Sequence, residues 1–137
     1  MTDEGTGKPV SSDEQLSRFI LQRSHLRPDG SVKQDAFVPY PWPDLSVTRH
    51  LQLTEKEVWS IGHNVARQTA KTLRGRADVR ASDFQQHRLR VLAAPVEENP
   101  NHANVTDWPA GKPAQKIIAQ QIAAAAGKAH QPPQPPA

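Results

Sequence analysis

"LSVTRHLQLTEKEVWSIGHNVARQ", residues 45–68, changes its hydrophobic period in the middle. Leu45, Val47, Arg49 and Leu51 alternate with Ser46, Thr48 and His50, the two-residue period of a half-buried strand. Thr54-Glu55-Lys56-Glu57 then forms a capping box, in which the Thr54 hydroxyl accepts from the Glu57 amide while Glu57 reaches back. Val58, Ile61, Val65 and Thr69 follow at helical spacing, and Gly75 is a natural stop. A strand passing directly into an amphipathic helix points to an α+β domain.

The flanks extend this pattern. Upstream, "LSRFILQRSH" (16–25) leans toward a strand ending in the turn Pro28-Asp29-Gly30. Residues 31–44 form an anchored loop, because Pro39, Pro41 and Pro43 at alternate positions exclude a helix or central strand. Downstream, Val79 marks a short strand and Ser82 or Asp83 starts a single helical turn. Leu89, Val91 and Ala93 alternate over 88–94, and 102–105 is extended. The last helix runs from Pro113 to Ala126, with Gly127 as its stop. The expected architecture is a small sheet of three to four strands with two helices packed on it.

The 137 residues fit one domain. Residues 1–13 have no apolar period and 127–137 are Pro-rich, so both are expected to be disordered tails around a body at 14–126. With no cysteine, disulfides, thiolate metal sites and cysteine nucleophiles are excluded. No secretory leader or bilayer-length apolar run is visible, so a soluble cytoplasmic protein is expected, with no membrane contact. The net charge of +3 is compatible with an anionic partner without demanding one. None of the phosphate-loop, dinucleotide, nucleophile-elbow or zincin motifs occurs. The six histidines show no H-x-H or H-x-x-x-H spacing, so no metal and no cofactor is expected.

Four groups of residues carry chemical interest. "NPNHANVTDWP" (99–109) offers His102 as a base or phosphate donor and Asn104 as a polar contact, although turn-forming asparagines and a pinning Trp108 explain most of it structurally. "HLQL" (50–53) and "HANV" (102–105) share a pattern that resembles the two-histidine phosphoesterases. That resemblance implies His50 and His102 as acid and base, but Gln52 and Asn104 stand where that family has a hydroxyl residue. Arg18, Arg23, His25, Arg49 and His50 would line one cleft if their segments pair, a setting suited to phosphate. The start of the chain also loosely resembles ADP-ribosyltransferase folds, without a catalytic glutamate motif. The basic stretch 67–90 holds one aromatic residue, Phe84, a weak basis for base stacking.

Taken in order, "SRFILQRSH", "AFVPYPWPDLSVTRH", "EKEVWSIG" and "NHANVTDWP" resemble a family of small bacterial proteins without an established activity, across nearly all of 16–126. The resemblance implies one domain and carries over no functional residue. The expected function is a binding protein for a nucleotide or nucleic-acid phosphate, through His25, Arg49, His50, His102 and Asn104. Two alternatives are an enzyme acting on a nucleotide or RNA phosphate through His50 and His102, and a protein-interaction module with no small ligand. Neither ligand identity nor oligomeric state follows from the residues.

Overall fold

The computed structural model describes residues 6–133. Five strands form one antiparallel sheet: β1 (Gln15–Ile20), β2 (Leu45–Arg49), β3 (Gly75–Arg80), β4 (Arg90–Ala93) and β5 (His102–Thr106), in the order β3-β1-β2-β5-β4. Three helices accompany them: α1 (Glu55–Gln68), α2 (Ala81–Gln85) and α3 (Lys112–Ala126). The α+β class is as expected. The counts are higher because the extended stretch at 102–105 is a full strand, β5, beside the strand around Val79, and the single helical turn is α2.

Alternation along the strands sorts their side chains onto two faces. Leu16, Ile20, Leu45, Val47, Val79, Val91 and Val105 belong to the larger core, with Ala119, Ile122 and Ala123 of α3. Phe37 and Phe84 meet edge to face within that core, with ring centroids 6.2 Å apart. The opposite face carries a smaller cluster of Phe19 with Val58 and Ile61 of α1. Burying each such side chain stabilises the fold by about 1.5–3 kcal/mol. α1 starts at the expected capping box: the Thr54 hydroxyl accepts from the Glu57 amide at 3.2 Å, and Glu57 accepts from the Thr54 amide at 2.9 Å.

The α1 face is also where polar groups are buried. Ser17, Thr48, Arg76 and Asn99 are all 3% exposed or less. The register places Asp78, Ser17, Thr48 and His102 in one row across four strands.

The two central strands hardly pair. β1 and β2 share only Leu16–Arg49 and Ser17–Thr48, and then they diverge. The long connection 21–44 occupies the split, with short 3-10 turns at Arg23–His25 and Gln34–Phe37. Arg18 bridges the opening, its Nε donating to the Ala36 carbonyl at 2.9 Å and its Nη1 to the Ser46 carbonyl at 3.1 Å.

Residues beyond 14–126 join the sheet at both edges. Along β4, the Gly7 amide donates to Ala93, the Ala93 amide to Lys8 and the Val10 amide to Val91, and Val10 is buried in the core. Along β3, Arg76 and His130 exchange both backbone bonds, at 3.0 and 2.9 Å. An open strand edge supplies partners that a polar, Pro-rich segment can use without an apolar period of its own. The outermost parts of the expected tails, 1–5 and 134–137, lie outside the described residues.

Candidate functional site

The split between β1 and β2 opens into a cleft of about 460 Å³, within the usual range for a small-molecule site. Three cations line it, Arg18, Lys71 and Lys112, against two carboxylates, Asp35 and Asp44, with His25 beside them. Tyr40 and Trp42 form its rim and are 54% and 71% exposed. The chain reaches this geometry through the proline-rich loop, which turns at a cis Tyr40–Pro41 bond and is tied to α3 where the Tyr40 amide donates to Gln115.

Arg18 is the unusual member. It takes the core-facing position between Leu16 and Ile20, where a strand of this period ordinarily has an apolar residue. Its two hydrogen bonds go to neutral carbonyls, and among the described residues no carboxylate lies within ion-pairing distance. Burial lowers its pKa to about 10. Burial, followed by the positive charge of Arg18, likewise pulls His25 below the ordinary imidazole range, with Asp35 acting in opposition.

On the other side of Arg18 and Ser46 lies a second, smaller cavity of about 210 Å³ under α1. Phe19, Leu21 and Val65 give it apolar walls, and Thr48, Asn99 and His102 give it polar ones.

The five residues expected to bind ligand do not share one pocket. His25 lines the cleft and His102 lines the smaller cavity. Arg49 is held in a bidentate pair with Glu14, at 2.5 and 3.0 Å, which leaves its fork occupied. Asn104 is half-buried in β5 opposite Ser46 and Leu92, and lines neither cavity.

His50 belongs to a buried polar network. Ser17 Oγ donates to Asp78 Oδ1 at 2.6 Å, so it accepts from His50 Nε2, 2.5 Å away. Asp78 also accepts from Arg76, which reaches Glu55 at 2.5 Å and lies 4.8 Å over the Trp59 ring. Burial is the main cause that lowers the His50 pKa, with Asp78 opposing it. Ser, His and Asp meet here without forming a nucleophile, since the fully buried hydroxyl is already committed to the carboxylate.

The two histidines also turn in opposite directions across the sheet. His50 engages Ser17 on β1, whereas His102 Nδ1 donates to the Ala94 carbonyl just past β4, at 2.8 Å. His50 lines neither cavity.

Most of "NPNHANVTDWP" is structural. Asn99 donates to the Thr48 hydroxyl, Asn101 donates to the Arg49 and Leu51 carbonyls, and Trp108 Nε1 donates to the Val105 carbonyl. Asp107 pairs with Arg90 on the surface, where solvent screens the interaction. The basic stretch 67–90 is dispersed: Arg76 is buried against acids, Arg90 holds Asp107 and Lys71 enters the cleft. No group of three or more His, Cys, Asp or Glu suited to a metal occurs among the described residues.

Arg18 was legible as one member of a basic cluster, and its interruption of an apolar alternation was the signal of its importance. Lys71 and Lys112 carried no signal, because they reach the cleft only through folding. No protein-family model matches the chain, and searches of curated proteins and of solved structures find no match either. Within the described residues, no helix is long and apolar enough to cross a membrane.

Proposed function

We propose that this protein binds an anionic, phosphate-bearing ligand, a nucleotide or nucleic-acid phosphate, in the cleft between β1 and β2. The observation that carries this reading is Arg18: a half-buried guanidinium with no carboxylate within ion-pairing distance among the described residues, facing a polar cleft that also holds Lys71 and Lys112. Even partial removal of such a charge from water costs free energy, which an anion beside it offsets. A phosphate supplies acceptor oxygens in the geometry that arginine favours.

The pH dependence follows from His25. Its lowered pKa leaves it uncharged at neutral pH, and a bound anion favours its protonation. Affinity therefore rises as pH falls through the range just below the ordinary imidazole value, and His25→Asn removes that rise.

The test is calorimetric titration of the full chain with inorganic phosphate, a nucleoside monophosphate and a short oligonucleotide, at low and high salt. Hydrogen bonds to a charged group contribute about 1.5–3 kcal/mol. Arg18→Met is therefore expected to weaken binding at least tenfold, and salt to weaken binding to the unsubstituted chain. Equal affinity in Arg18→Met, or no binding of any of the three, would overturn the reading.

A further inference from the structure

The smaller cavity has two polar groups whose hydrogen-bonding capacity is unspent. The Ala94 carbonyl can only accept, so His102 Nδ1 carries the proton of that bond. In the neutral ring the lone pair then sits on Nε2, free to accept from a ligand. Thr48 stands directly opposite His102 across β2 and β5. Its hydroxyl oxygen accepts from Asn99 Nδ2 at 2.9 Å, and no other hydrogen bond among the described residues uses its proton. An acceptor and a donor therefore stand side by side on one wall, facing the apolar surface of Phe19, Leu21 and Val65.

Size narrows the ligand. A cavity of about 150 Å³ accommodates a benzene ring. At about 210 Å³, this one accommodates a single six-membered ring with small substituents and is tight for a fused pair. The edge of a pyrimidine base has adjacent donor and acceptor atoms, N3–H beside a carbonyl in uracil and N4–H beside N3 in cytosine. That edge matches His102 Nε2 and Thr48 Oγ1. The cavity also shares its Arg18 and Ser46 walls with the cleft, which sets the two sites side by side.

We infer that the ligand is a pyrimidine nucleotide, with its base in the cavity between His102, Thr48 and Val65 and its phosphate at Arg18. The phosphate half of this inference rests on the function proposed above, whereas the base half stands on the cavity alone.

The experiment titrates the full chain with uracil, inorganic phosphate, UMP and AMP, and follows the ring nitrogens of ¹⁵N-labelled histidine by NMR. Uracil alone is expected to move the His102 Nε2 resonance, and UMP to bind at least tenfold tighter than AMP. Val65→Phe fills the cavity from α1 and is expected to reduce UMP to the affinity of inorganic phosphate, with phosphate binding unchanged. Where that variant fails to fold, Leu21→Phe blocks the same space from the end of β1. AMP binding as tightly as UMP, as a base stacked on the rim residue Trp42 would give, overturns the inference. So does a His102 resonance that uracil leaves in place. Phosphate binding without uracil binding removes the base site and leaves the anion cleft standing. Uracil binding without phosphate binding supports the base site and removes the cleft reading.

Discussion

Ser17 and His50 show how burial decides what a polar side chain does. A hydroxyl between an imidazole and a carboxylate has the composition of a hydrolytic centre, yet this one is fully buried and its proton is already given to Asp78. Its role is to satisfy two partly buried groups, His50 and Asp78. A pH effect follows from the same burial. The lowered His50 pKa means that the unfolded chain takes up a proton near pH 6.5 that the folded chain refuses. This contribution to stability is complete above that pH and is lost as pH falls toward the folded-state pKa. His25 acts in the same direction. The denaturant midpoint is therefore expected to fall between about pH 7.5 and about pH 5, with a shallower fall in His50→Gln. An equal slope in the variant would remove His50 from that role.

At the scale of elements, α1 depends on a close approach. A Cβ at Gly62 would lie 2.7 Å from Phe19 Cε1 and 2.9 Å from Cδ1, nearer than packed atoms allow. Alanine normally favours a helix over glycine by about 1 kcal/mol. Overpacking costs about 1–3 kcal/mol, and the Phe19 ring, packed between sheet and helix, has to shift toward the cavity that it lines. Gly62→Ala is therefore expected to destabilise the protein by about 1 kcal/mol in chemical denaturation. A stabilised variant would mean that Phe19 moves freely. Element boundaries in the sequence were less secure than element types. The segment at 16–25 has apolar residues on both faces, Leu16 and Ile20 toward α3 and Phe19 toward α1, so a single alternation could not locate its end at Ile20. Residue 88 also falls outside its expected strand, where Arg88 takes a left-handed φ of 65° and β4 starts at Arg90.

Across the whole molecule, the chain covers its own sheet edges. β3 and β4 are the outer strands, and unpaired edges invite association with other chains. Residues 7–10 lie along β4, while 127–130 run from α3 past Val32 and Gly30 to Arg76. A chain ending at 126 loses those backbone bonds and the contact of His130 with Asp78, 3.5 Å apart. Its thermal midpoint is expected to drop by several degrees, with faster amide exchange concentrated in β3. Unchanged exchange in β3 would show that the segment adds nothing to the edge.

The sequence by itself determined the α+β class, the capped start of α1, the existence of the strand at 45–51, which the structure ends at Arg49, and the structural character of most of 99–109. These depend on periods, caps and turn residues that act within a few positions of one another. The site was decided by the tertiary structure. Arg49, His50, His102 and Asn104 look alike in a string, but Glu14, Ser17, Ala94 and Ser46 give them separate surroundings. The cleft gathers Arg18, Lys71 and Lys112 from three distant segments because β1 and β2 pair at only two positions before they part. No local pattern encodes that divergence, since it comes from packing the 21–44 connection, through Ala36 and Phe37, into the core between the strands.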